Sequence, residues 1–423
     1  MMKGVVLLSG FLMLFNMLRA QEVNVFLTRE YWKAKPSLTT VKSDIAKGNS
    51  PSELDRYDFD ATGWAILEDT EDEILKYIID QKGNDVNKLT HDGRTYIFWA
   101  AYKNKLSLMK YLISKGARTD IIDSHGYSLV NFCAVTGQLN TAIYDLCIEN
   151  GSVLTTELNN DGANPLLLLT SFIENKDQIT YFTDKKLSIS SLDNEGNNAF
   201  IYAAKSGNMF MMELLLDLGT DARANNDAAF FFAAQGMRRK PNKLPVFEFL
   251  ESLGLDIHAK NKENENLLHL LSRSNKDTLL LKHLLDKGVS LNAKNKDGSS
   301  PVSIAVERKN IAALTLYTAY KADFSVIAQD GNNLVHKAVK HEDWSLMKII
   351  LSHSLDINAK NNEGMTPLHL AAMSGENIKF VEKMLAAGAD KTLTTEFDES
   401  AYDLAMENEL LNKNIEDLNI LVP

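Results

Sequence analysis

A chain stop recurs along this sequence with a nearly constant period. The residue closing each second amphipathic stretch is Gly48, Gly83, Gly116, Gly151, Lys186, Gly219, Gly254, Gly288, Lys321, Ser354 and Gly388, with gaps of 33 to 35 residues throughout. A period of this length marks stacked supersecondary units, each too small to bury its own apolar face and dependent on its neighbours for a core. It overrides the two or three globular domains that 423 residues alone would suggest. A lead-in recurs as well: His258-Ala259-Lys260-Asn261, Asn292-Ala293-Lys294-Asn295 and Asn358-Ala359-Lys360-Asn361.

The most fully written unit is Asn361–Asp390. Asn362-Glu363-Gly364 supplies a tight turn. Thr366 is placed to cap a helix whose first residue, Pro367, is preset for helical φ and has no N–H to leave unpaired. Leu368, Leu370, Ala371 and Ala372 give that helix an apolar face, its alanines small enough for close approach of another helix. Ile378, Val381, Met384 and Leu385 form the stripe of the second helix, and Gly388 ends it. This stretch resembles the ankyrin repeat through Gly364, Thr366, Pro367, Leu368, His369, Ala371, Ala372, Gly388 and Ala389. The resemblance is strong from about Asp85 to Thr394 and degenerate at both ends. It implies an all-α ankyrin-repeat solenoid of about ten to eleven helix-turn-helix units with β-turn fingers. The expected division is a signal peptide over 1–20, N-terminal capping helices over 21–60, the array over 61–394 and a C-terminal capping repeat over 395–423.

Met1–Ala20 carries Lys3 and then the apolar run Val5–Leu18, with small Ala20 at its end. That pattern reads as a secretory signal cleaved before Gln21, and the run is shorter than the ~20 residues of a spanning helix, the alternative reading. Losing Lys3 and Arg19 with it takes the net charge from −11 to −13. So acidic a chain excludes general nucleic-acid binding, which needs clustered Lys and Arg. No later segment is apolar enough to span a membrane, so the mature chain is expected outside the cytoplasm, periplasmic or secreted, as a monomer not inserted in the bilayer. Within the N-terminal cap, which carries Phe26, Leu27, Tyr31 and Trp32, the last two are expected in the core, a binding patch being the alternative; Pro36 should break the helix, and Ser37 should cap the next one.

Chemistry is sparse. His269, His336 and His369 share one motif position, but repeats stack at about 8–10 Å, too far for neighbouring imidazoles to share a metal at bonds of ~2 Å. The family resemblance instead implies that each bonds to backbone or Thr between repeats. No metal or other cofactor is expected. Cys133 and Cys147 are the only cysteines and should face the core of one repeat. Either they remain two buried thiols, or in an oxidising compartment they pair as a disulfide. HExxH, GxSxG, P-loop and GxGxxG patterns are all missing, so the sequence points away from an enzyme.

One unit departs from the pattern. From stop to turn is ten residues at Gly388–Asp398 but seven at Gly219–Asn226, so the tip of one finger is deleted. After Ala234 the link between helices is about four residues longer than after Ala372, and this loop, 235–245, carries Arg238, Arg239, Lys240 and Lys243 together with the helix-discouraging Pro241 and Pro245. It is the one dense basic cluster in an acidic chain. The resemblance implies binding of a partner protein through the concave face and fingers. The candidate contacts are Arg94 and Tyr127, which with Asn197, Ser299, Asn332 and Met365 follow the turn residue and should sit on fingers, together with Tyr102, exposed after an Ala-Ala pair, and the four basic loop residues, which suit an acidic partner. A scaffold of the cell envelope and a secreted effector are the alternative functions.

Overall fold

The structure, a computed structural model, describes residues 24–237, 240–274, 277–413 and 415–423. The expected signal peptide and its cleavage point lie outside the described residues, as do Arg238 and Arg239. Among the described residues all extended regular structure is helical, and β-pairing is confined to isolated bridges such as Thr90 with Arg94 and Thr394 with Ser400. The chain divides into two compact units, one ending at Ser152 and the other starting at Val153.

The first unit holds four helix pairs: Arg29–Lys33 with Leu38–Ala46, Ala61–Leu67 with Asp72–Ile79, Tyr96–Tyr102 with Leu106–Ser114, and Leu129–Val135 with Thr141–Glu149. The second holds seven more, from Pro165–Leu169 with Lys176–Asp184 to Pro367–Ser374 with Ile378–Ala386. It closes with Ala401–Glu407 and a 3-10 turn, Ile415–Leu421. Eleven pairs therefore end on the eleven residues of the periodic ladder.

Every residue of that ladder has positive φ, from 54° at Lys321 to 103° at Gly151. At Gly116, Gly219 and Gly388 an added Cβ would meet nothing within 4 Å. Glycine serves there for its backbone conformation rather than for space. Lys186 (φ 71°), Lys321 and Ser354 (φ 58°) adopt the same left-handed stop without a glycine.

The first helices start where the sequence places a cap. Asn198, Asn266, Ser300, Asn333, Thr366 and Ser400 each accept the N–H three residues on. Behind His269, His336 and His369 the cap is reciprocal: Nδ1 accepts the N-cap backbone N–H at 3.1, 3.3 and 3.0 Å. Ser303 and Asp403 do the same work at the same position. The three imidazoles then reach the next repeat, Nε2 lying 3.2 Å from the Ser299 carbonyl, 3.1 Å from that of Met365 and 3.0 Å from that of Leu393. They are buried structural ties, as the resemblance implied.

A second tie runs the other way. Asn208 donates to the Ile173 carbonyl, Asn242 to Ala204, Asn310 to Ser272 and Asn408 to Ala372, at 2.8 to 3.1 Å, and in the first unit Gln138 donates to Ala101 at 2.7 Å. At the chain's start Phe26 and Trp32 are fully buried, with Trp32 Nε1–H donating to the Phe26 carbonyl at 2.9 Å, and Ser37 caps Leu38–Ala46.

Two outcomes follow. Replacing Lys186, Lys321 or Ser354 by Gly removes a left-handed Cβ and should stabilise the fold by about 0.5–1 kcal/mol each, read as a higher urea midpoint. Burial also holds the pKa of His269, His336 and His369 below the usual histidine value. The unfolded chain then binds protons that the folded chain refuses, so stability is complete above about pH 6.5 and is lost as pH falls below it. Urea midpoints at pH 7.5 and 5 should show this drop, and it should shrink in His→Gln variants, which keep a capping side chain that does not titrate.

Candidate functional site

Each finger is a turn held by one side chain. Asp123, Asp193, Asn261, Asn295 and Asn361 each accept, through Oδ1, the backbone N–H groups two and four residues ahead. Successive fingers are also stitched by backbone. Ser124 N–H donates to the Asp92 carbonyl at 2.8 Å, Asn194 to Asp161 at 2.8 Å, Lys296 to Glu263 at 3.0 Å and Asn362 to Asp330 at 3.0 Å.

In the second unit, among the described residues, no such backbone bond joins the shortened finger to its neighbours, and none joins the full-length fingers at Gly298 and Gly331 either. Asn225, Asn226 and Asp227 turn the chain in three consecutive left-handed residues, φ 50°, 54° and 57°. Asn225 Nδ2 donates to Asn197 Oδ1 at 2.7 Å, Asn226 Nδ2 to the Lys260 carbonyl at 3.1 Å, and the Asp227 carboxylate takes the Asp256 N–H at 2.9 Å. The space left by the absent tip is a cleft of about 520 Å³. Phe231 and Phe232 form its apolar floor, with Glu195 and Asn197 from one flanking repeat and Lys260 to Glu263 from the other. An ion pair between Lys262 and Glu195 spans the opening, and that pairing raises the Lys262 pKa. Two cationic and two anionic side chains thus surround an aromatic floor edged by carboxamides, a lining that suits an uncharged polar segment of protein rather than a small anion.

Of the loop 235–245, Gln235, the last residue of the helix Ala229–Gln235, lines this cleft, whereas Lys240 and Lys243 are not among its lining residues. Met237 and Lys240 bridge across the loop's tip, and Asn242 anchors it to the Ala204, Lys205 and Ala233 carbonyls. Lys240 and Lys243 are exposed.

The expectation that residues after the turn glycine sit out on the fingers is corrected. Arg94, Asn197 and Met365 are buried, and Tyr127, Ser299 and Asn332 are half-buried. The second arm of each finger pairs back on the first, as in Thr90 N–H to the Arg94 carbonyl, so its side chain turns toward the helices. Arg94 donates to Asp123 at 2.8 Å and Asp92 at 2.9 Å, and its guanidinium lies 4.5 Å from the Phe132 ring centroid and 5.3 Å from that of Trp99. It is an internal tie between two fingers and is not available to a partner. Tyr102 is 46% exposed, beside Phe132.

The exposed finger positions lie four residues before the turn glycine: Leu89 and Ile122 in the first unit, Leu158 and Leu192 in the second, all more than half exposed. Leu89 and Ile122 edge an open groove of about 590 Å³. The readable signal was an aliphatic residue at a fixed place in an otherwise polar finger. Cys133 and Cys147 are buried and not joined in a disulfide, and burial pushes the Cys133 thiol well above its usual value, so Cys133 is not an activated nucleophile. Among the described residues no three His, Cys, Asp or Glu side chains gather in a metal-holding group, and no helix is long and apolar enough to cross a membrane.

Paired short helices, left-handed stops and stitched fingers define a repeat protein. The chain belongs to the ankyrin-repeat family, whose model, "Ankyrin repeats (3 copies)", matches residues 63–157 and 303–395. It is similar to the putative ankyrin repeat protein FPV031 of Fowlpox virus (strain NVSL), 26% identical over 42% of this chain and 53% of that one. It is also similar to the nuclear factor NF-kappa-B p105 subunit of Gallus gallus, 29% identical over 34% of this chain and 15% of that one. A third relative, the putative palmitoyltransferase ZDHHC13 of Danio rerio, is 25% identical over 45% of this chain and 29% of its own. The chain spans about half or less of the length of these relatives. The shared repeats mark it as a protein–protein interaction module.

Arg94→Ala would leave the buried Asp123 carboxylate without its cation. It should cost about 2–4 kcal/mol, seen as a lowered midpoint of the first unit's unfolding.

Proposed function

We propose that this protein is exported and works without catalysis. It holds a partner protein on the finger side of the second unit, centred on the cleft beside the shortened finger, with the loop 235–245 as an accessory contact for acidic groups. The observation that carries this reading is the cleft itself. Its floor is aromatic, its edges are carboxamides, and it stands where the finger pattern is broken. Aromatic side chains at the centre of a pre-formed surface are the usual anchors of binding energy, and a rigid repeat surface loses little ordering entropy when a partner docks. The signal-like segment 1–20 supports export. The isolated placement of Lys240 and Lys243 in a chain of net charge −11 supports an acidic contact at the loop.

The test uses two photo-crosslinking variants of the full chain expressed in its own cells. One carries the crosslinker at Gln235, which lines the cleft, and the other at Leu279, 69% exposed on a second helix. A single protein captured from Gln235 and not from Leu279 is the expected result. Capture of the same set of proteins from both sites, or of none, overturns the reading. N-terminal sequencing of the purified chain should begin at Gln21. A chain still starting at Met1 removes the export half.

A further inference from the structure

Where two fingers are stitched by backbone, the chemistry is fixed, although among the described residues the pairs at Gly298 and Gly331 and at Gly364 and Asp398 lack the bond. The carbonyl just before the turn residue of one finger accepts the N–H two before the turn residue of the next, as in Asp92 to Ser124, Asp161 to Asn194, Glu263 to Lys296 and Asp330 to Asn362. At the shortened finger the same two positions fall on Glu195 and Lys262. Among the described residues the Glu195 carbonyl accepts no hydrogen bond and the Lys262 N–H donates none. Both residues line the cleft, on the two repeats that flank the shortened finger. The Oδ1 atoms of Asn225 and Asn226, which also line it, accept none either.

We propose, resting on the reading that a partner docks at this cleft, that the occupant is a β-turn of the partner protein standing in for the missing finger. Its N–H is taken by the Glu195 carbonyl, and its carbonyl takes the Lys262 N–H. One acceptor on one flanking repeat and one donor on the other match the two arms of a turn. An extended strand would call for a row of alternating groups along one edge. The cleft is one finger wide because it is what three missing residues leave behind: stop to turn is seven residues here and ten in the neighbouring unit from Gly254 to Asn264. With Lys260 and Lys262 offset by Glu195 and Glu263, the lining selects no net charge, so a compact Asn-Gly or Asp-Gly turn fits it. The Lys262–Glu195 pair across the opening is between side chains 69% and 50% exposed, so swinging it aside costs little.

The probe is the chain's own regular finger, a cyclic peptide of residues Asn292 to Ser299 locked in its turn, titrated against the full chain by calorimetry. Three measurements decide the matter. The peptide should bind the parent protein. It should bind at least tenfold more weakly to a variant with Lys-Asp-Gly inserted after Arg223, which restores the ten-residue spacing and fills the gap, while that variant melts no lower than the parent. A peptide N-methylated at the amide of its Lys296, the group that would meet the Glu195 carbonyl, should also lose at least tenfold. No binding by the parent, or equal binding after insertion or N-methylation, overturns the inference. Capture of a partner through Gln235 with no peptide binding overturns the turn-in-gap inference and leaves the docking reading standing. Peptide binding with no captured partner does the reverse.

Discussion

The bond that crosses from one repeat to the next carries this structure. Its first helices are five to eight residues long and its second helices are mostly eight or nine, well short of the ~12–15 residues at which an isolated helix becomes marginally stable in water. What holds them is the neighbour. The imidazoles of His269, His336 and His369 tie forward, and the carboxamides of Asn208, Asn242, Asn310 and Asn408 tie back. Each of these side chains is buried or nearly so, and a buried polar group left without its partner costs about 1–3 kcal/mol. The ties therefore set the register of the stack more strictly than apolar contact alone would.

The array was legible because its strictest demand, a left-handed residue at each helix stop, writes itself as glycine at a constant period. Reading that position through Lys186, Lys321 and Ser354 kept the register where glycine is missing, and all three have the positive φ that the register demands. Less of the site was legible. The shortened finger could be counted, and a cleft stands there. That Arg94 is buried could not be counted, since it depends on Asp123 and Phe132 in the following repeat, 29 and 38 residues along the chain.

The shortened finger is a built feature. Three consecutive left-handed residues without glycine are costly for a chain of L-residues, and Asn and Asp are the types that tolerate the region. Asn225 and Asn226 spend their amide groups on the two flanking repeats, and the Asp227 carboxylate takes a backbone N–H from the next repeat and pairs with Arg223 at 3.3 Å. These side-chain bonds keep, between repeats, part of what the lost tip would have supplied.

The broken stitching has a consequence for how the second unit assembles. In an array where each repeat touches only its neighbours, cooperativity is the sum of nearest-neighbour couplings. At the shortened finger that coupling is handed on by three side chains, Asn225, Asn226 and Asp227, rather than by a backbone bond between fingers, so a folding front crossing it must order those side chains as it passes.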